Sequence, residues 1–229
     1  RFKISNVRNE MRDMKRVSIL LLILCCFASA AAQERYVLPV DEATKDPSFL
    51  AFREKLIAAA EKQDAAFILG ILDPKIELSF GGDAGIADFK RIWKITAKNS
   101  GFWEEFLPVI KNGGSFSGQG GERGFFAPYT FSNFPEDLDA FEHRVIFGSN
   151  VNLRERPDVS APIVASLSYN VVKVLTENPG GRDAWEKVKT LGGKVGYVKA
   201  EFARSPVDYR AGFMKRRGVW KLTVFIAGD

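Results

Sequence analysis

Thiols and imidazoles are scarce in this chain. Its 229 residues include two cysteines, Cys25 and Cys26, and one histidine, His143. Both cysteines fall in an N-terminal segment with the features of a leader. The chain beyond it therefore has no means of forming a structural disulfide, a thiolate metal site or a cysteine nucleophile. A serine hydrolase would have only His143 for its base, and no G-x-S-x-G elbow accompanies it. Long apolar runs are missing too. The run from Val17 to Phe27 has eleven residues, and at ~1.5 Å per residue it spans about half a bilayer core, too little for a permanent anchor. Once the leader is set aside, an excess of one charge sign is also missing. Residues 1–33 carry 6 basic and 2 acidic side chains, which leaves 27 basic against 26 acidic in the remainder. That balance excludes a globally basic nucleic-acid binder.

What is present begins with an address. After Met14 come Lys15 and Arg16, the apolar run, and then Ala28-Ser29-Ala30-Ala31-Ala32-Gln33, the order of a secretory signal peptide with cleavage after Ala30 or Ala32. Leu24 before Cys25 fits a lipoprotein box poorly. Residues 1–32 are thus expected to be a signal peptide with an upstream extension, and the protein to be periplasmic or secreted with no transmembrane anchor after processing. With 46% apolar residues in the whole chain, the part beyond the leader is expected to fold around one large core or two small ones.

Residues 34–145 read as a helix-rich α+β domain. Asp46-Pro47 supplies a cap and a first-turn proline, and Phe49, Phe52 and Leu56 follow at helical spacing, predicting a helix from about 47 to 62. Asp64 opens a second helix through Leu72, which Asp73-Pro74 ends. Ile76, Leu78 and Phe80 alternate as a strand. Ile86 to Trp93 and Trp103 to Ile110 read as third and fourth helices, and the glycine-rich stretch Asn112 to Gly124 as a loop. Neither this stretch nor Gly81 to Gly85 has the spacing of a nucleotide-binding loop. The aromatic run Phe125, Phe126, Tyr129, Phe131 and Phe134 reads as buried packing in preference to a ligand platform. Asp139, Glu142 and His143 would share one face of a helix and could hold a divalent ion. A solvated acidic turn leading into a strand from Arg144 is the preferred reading.

From Val151 the chain changes to short strands and turns: Val151-Asn152-Leu153-Arg154-Glu155-Arg156-Pro157, Ala161-Pro162-Ile163-Val164-Ala165-Ser166-Leu167, Val171 to Leu175, Trp185-Glu186-Lys187-Val188, and Val195-Gly196-Tyr197-Val198 after Gly192-Gly193. This succession resembles the bacterial SH3-like (SH3b) domain over residues 146–204. The resemblance implies a small all-β barrel, with Trp185 available to fill its centre. Arg156 stands where the family has glycine, and Tyr197 where it has tryptophan. These changes lie near turns where members of the family display ligand-contacting groups, so the resemblance carries the fold and not a particular ligand. Arg154 and Arg156 could hold a carboxylate of a cell-wall peptide and Tyr169 and Tyr197 could line an exposed groove, which makes these four the candidate ligand-binding residues. For Arg154 the alternative is bracing of a strand end, and for the two tyrosines half-buried packing.

Residues 205–229 read as a hairpin, Val207 to Met214 and Val219 to Ile226. Trp220, Leu222 and Val224 fall on one face and Val219, Lys221, Thr223 and Phe225 on the other. A lone hairpin is marginal in water, so it is expected to return and complete the first domain, with the barrel as an insertion. The helix pair, the strand and the terminal Gly-x-Trp-Lys-Leu are loosely similar to the nuclear transport factor fold.

The expected fold class is therefore α+β: a helix-rich domain with a small sheet, an SH3-like barrel, and a C-terminal hairpin pairing with the first domain. Nothing in the spacing calls for a cofactor or a metal, and no catalytic residue stands out. The expected function is that of an exported envelope protein with a non-catalytic SH3-like module for peptide or cell-wall polysaccharide, or for another envelope protein. The alternatives are a wall-active hydrolase targeted by that module and an interaction adaptor without wall affinity. Residues 34–140 carry 12 basic and 17 acidic groups, and residues 141–229 carry 15 and 9. This asymmetry suits mutual docking or attraction to anionic polymers.

Overall fold

A computed structural model describes residues 33–120, 123–175 and 184–228. The expected signal peptide, with Cys25 and Cys26, lies outside the described residues. Among those described, no helix is long and apolar enough to cross a membrane.

Helix α1, Pro47–Glu61, starts at its sequence signal: the Asp46 carboxylate accepts hydrogen bonds from the amides of Ser48 (2.9 Å) and Phe49 (3.2 Å). Asp64 caps α2, Ala65–Ile71, in the same way through the Phe67 amide at 3.0 Å. Helices α3, Gly85–Trp93, and α4, Phe102–Lys111, follow the expected periodicity. Strand β1 differs from the expectation. It runs Leu72–Glu77, directly after α2, because Leu72 and Ile76 are both drawn into the core. Pro74 is tolerated there because β1 is the edge of its sheet, where a missing N–H breaks no central ladder. The glycine-rich stretch is not all loop either. It contains β2, Ser115–Ser117, which pairs with β3, Gly124–Ala127. A four-residue helix, α5, Tyr129–Ser132, comes next. The acidic segment after it forms turns and not the ligating helix. His143 opens β4, His143–Ile146, with Nδ1 2.7 Å from the Asp139 carbonyl oxygen.

The hairpin formed by β11, Arg210–Arg216, and β12, Val219–Ile226, turns through Arg217 (φ 52°) and Gly218 (φ 82°), the left-handed pair of a tight hairpin turn. It enters the middle of a five-stranded sheet ordered β1-β12-β11-β3-β2 and so pairs with the first domain. β12 runs parallel to β1, and the other pairs are antiparallel. Helices α1 to α4 supply Phe49, Leu56, Ile68, Phe89, Phe102 and Phe106 to the core against this sheet. Phe49 lies 4.2 Å from the Phe125 ring centre and 4.9 Å from that of Trp220.

The face assignment along β12 needs correction. The β11–β12 register slips between Gly212 and Phe213, so that Gly212 pairs with Val224 while Phe213 pairs with Leu222. This bulge at Thr223 exchanges the faces beyond it. Phe225, expected opposite Trp220 and Leu222, joins them in the core at 0% exposure, and Val224 turns outward.

The second sheet has seven strands: β4; β5, Val151–Arg154; β6, Ile163–Leu167; β7, Val171–Val174; β8, Trp185–Thr190; β9, Val195–Lys199; and β10, Ala203–Arg204. They are ordered β10-β4-β7-β8-β9-β5-β6. The interior holds Ile146, Leu153, Leu167, Val172, Val188 and Val198. Trp185 is not among them. Along β8 the buried positions are Glu186, Val188 and Thr190, which places Trp185 half-buried on the opposite face with Lys187 and Lys189.

The two sheets are joined by a segment that the sequence did not single out. The Val37 amide donates to the Tyr169 carbonyl (2.9 Å) and the Val171 amide to the Arg35 carbonyl (2.8 Å), so residues 35–37 lie along the barrel. Val37 and Tyr129 then cover Val145 and Val171 in a third apolar cluster.

The bulge makes a prediction. Phe225→Ala should destabilise the protein by about 3–5 kcal/mol, as loss of a buried ring does, and Val224→Ala by about 1 kcal/mol or less. Urea unfolding of the two variants checks this; equal losses would mean regular alternation through β12.

Candidate functional site

The parity that removes Trp185 from the barrel interior builds its outer face. Between β8 and β9 the facing pairs are Trp185 with Lys199, Lys187 with Tyr197 and Lys189 with Val195, and β5 adds Arg154 opposite Tyr197. Facing residues on neighbouring strands point the same way, so Trp185, Tyr197, Lys187, Lys199 and Arg154 form one surface. The Lys187 ammonium stands 5.8 Å from the Tyr197 ring centre. Gly196 permits this approach of β9 to β5. A Cβ there would sit 2.6 Å from the Arg154 carbonyl oxygen and 2.8 Å from Leu153 Cγ.

A cavity of about 400 Å³ opens on this face, lined among others by Asn152, Arg154, Val159, Trp185, Lys199 and Phe202. Its wall is fixed from below. Arg154 Nη1 donates to the Ala161 carbonyl at 2.7 Å and braces the loop that follows β5. Within that loop the Ser160 amide (2.7 Å) and hydroxyl (2.9 Å) both donate to Asp158. Those bonds, with Arg156 and Arg154 nearby, hold the Asp158 carboxyl below its usual range. Arg154 therefore braces and lines the cavity at once. Lys199 has a partial counter-charge in Glu201 at 3.6 Å.

Of the four residues singled out in the sequence, Arg154 and Tyr197 are neighbours on this face, and Arg156 lies in the exposed loop beside it. Tyr169 is elsewhere. It sits at φ +59° in the turn before β7 and lines a separate cavity with Tyr129 and Phe147. Trp185, Lys199 and Phe202 were missed. The signal for Trp185 was available: it lies three residues from Val188, an odd spacing that puts the two on opposite faces of a strand.

This arrangement of short antiparallel strands around an aliphatic centre, with an aromatic and cationic outer face, coincides with a family match. Residues 149–203 match the family model of the bacterial SH3 domain. The chain contains a bacterial SH3 domain. No curated protein matches the chain. The match begins after β4 and ends at the start of β10, so in this chain the SH3 domain is extended by β4 at one margin and overlaid by residues 35–37.

Among the described residues no group of histidine, cysteine, aspartate or glutamate side chains is placed to hold a metal ion. Among the described residues of the SH3 domain, the most deeply buried ionisable group is Glu186, at 4% exposure. Its Oε2 accepts no hydrogen bond from a described residue and lies 3.6 Å from Arg144 Nε. Burial pushes the Glu186 carboxyl up, with Arg144 opposing. A carboxyl raised in the folded state contributes stability that is complete below its unfolded value and is lost as pH rises through the folded value. Glu186→Gln removes that loss. Arg144 keeps the His143 carbonyl as an acceptor at 3.0 Å, so the variant does not strand the cation. The difference in melting temperature between Glu186→Gln and the parent should move in favour of the variant as pH rises from the acid range to neutrality; a constant difference would show that Glu186 is not desolvated.

Proposed function

We propose that this chain is an exported envelope protein whose SH3 domain is a non-catalytic module for peptide or cell-wall polymer, bound on the Trp185 face. The observation that carries this reading is the partly exposed indole of Trp185, paired with Lys199 and flanked by Arg154 and Tyr197. An indole that contributes nothing to a barrel's interior and lines an open cavity beside cations is suited to an anchoring role. The cations favour a ligand bearing carboxylates, such as the peptide portion of a wall polymer, and imply binding that weakens with salt. Export rests on the leader, and N-terminal sequencing of the exported product tests it.

The binding test is cosedimentation with purified wall sacculi. The parent should pellet with them, Trp185→Ala should lose at least about tenfold in affinity, and the same variant should remain folded, losing less stability than the ~3–5 kcal/mol of a fully buried ring because its side chain leaves no interior void. Binding unaffected by Trp185→Ala would overturn the assignment of the face. Muropeptides released into the supernatant would establish a hydrolase in place of a binding module, and absence of any sedimentation would favour an adaptor without wall affinity.

A further inference from the structure

We propose that the cavity at the junction of the two sheets is a second binding site, independent of the Trp185 face, and that it takes a neutral saccharide ring. The cavity has a volume of about 380 Å³ and is lined among others by Asp41, Lys111, Asn112, Tyr129, Phe147 and Tyr169. That is the size range of small-molecule sites. One wall is closely packed backbone. Gly113 (φ +61°) lies so close to the Val40 carbonyl that a Cβ would stand 2.2 Å from the oxygen, and the Gly114 amide donates to that carbonyl at 2.8 Å.

The Tyr129 ring is 4% exposed and stacks on Phe147, with centres 5.8 Å apart and planes 12° from parallel. No described residue hydrogen-bonds its hydroxyl. Tyr129 lines the cavity, so its hydroxyl is available to a group that enters there. Burial, with Tyr169 nearby, pushes the Tyr129 phenol up to about 12, so it remains a hydrogen-bond donor throughout the physiological range.

Charge selects the ligand class. Burial alone would raise the Asp41 carboxyl, but the Arg53 guanidinium and the Ala43 amide outweigh it and keep the group ionised. Arg53 holds both oxygens of Asp41, at 2.7 and 2.5 Å, and Glu61 holds the Lys111 ammonium at 2.7 Å. Both charges of the wall are thus already paired, so a charged ligand finds no uncompensated counter-charge there and would lose its hydration without return. A pyranose ring has no charge, presents an apolar C–H face to the half-buried rings of Phe147 and Tyr169, and carries hydroxyls that both donate to a carboxylate and accept from a phenol or ammonium.

Titration calorimetry of the full chain with glucose, N-acetylglucosamine and β-1,4-linked N-acetylglucosamine oligomers tests the proposal, with acetate and methylammonium as charged controls. The expected result is saturable binding of at least one saccharide at one site and none of the ions. Tyr129→Phe, which removes only the oxygen, should weaken it about tenfold without lowering the melting temperature, Tyr169→Phe should weaken it as well, and Trp185→Ala should leave it unchanged. No saturable saccharide binding, binding indifferent to both tyrosine variants, or binding abolished by Trp185→Ala would overturn the proposal. The last result would move the saccharide to the SH3 face.

Discussion

The return of the C-terminal hairpin into the middle of the first sheet is the constraint on which the other arrangements depend. Without β11 and β12, β1 has no neighbour and the β2–β3 pair is an isolated ribbon. The hairpin also supplies Phe213, Trp220, Leu222 and Phe225 to the core that α1 and α4 cover. One polar contact aligns it with the first helix: Trp220 Nε1 donates to Ser48 Oγ at 3.1 Å, and that hydroxyl donates to the capping carboxylate of Asp46 at 2.6 Å. The signal that starts α1 and the strand that closes the sheet are thus held by the same three residues.

Because both ends of the SH3 domain lead back to the first sheet, the barrel is held at its base. Phe147 donates its amide to the Phe202 carbonyl at 2.8 Å, Arg204 Nη2 donates to the Tyr209 carbonyl at 2.8 Å, and Tyr209 stacks on Phe225 with centres 5.0 Å apart. Residues 34–37 add a second tie, ending in Glu34, whose carboxylate accepts from the Gly192 amide at 3.0 Å. The covered side of the barrel carries Val145 and Val171 and the free side carries Trp185, Tyr197 and Lys199. A module anchored on one face has a defined opposite face to present, which is the geometry a surface-binding domain needs.

Much of the first domain was legible because its helices announce themselves with caps and periodic aromatic residues, as at Asp46 and Asp64. The hairpin was legible as an unsatisfied need for partners. Local alternation failed at Phe225, since a bulge is a property of two strands and only one was being read. It also failed at Leu72, which a helix end concealed. Trp185 was misplaced for a different reason: size suggested a core residue, while parity with Val188 already said otherwise. Arg154 and Tyr197 were found through family likeness, and their adjacency is a matter of strand register. Neither the overlay of residues 35–37 on the barrel nor the cavity around Tyr129 has a local signature, because each is made by segments far apart in the sequence.

Residues 34–40, the first sheet and the SH3 domain form one structural unit. Native-state amide hydrogen exchange at Val37 and Val171, whose N–H groups make the two backbone bonds between residues 35–37 and the barrel, is the decisive measurement. If the claim holds, both amides exchange as slowly as those of Val188 in the barrel and Leu222 in the first sheet, because all four open only on global unfolding. Exchange of Val37 and Val171 at the rate of an exposed loop, with Val188 and Leu222 still protected, would contradict it.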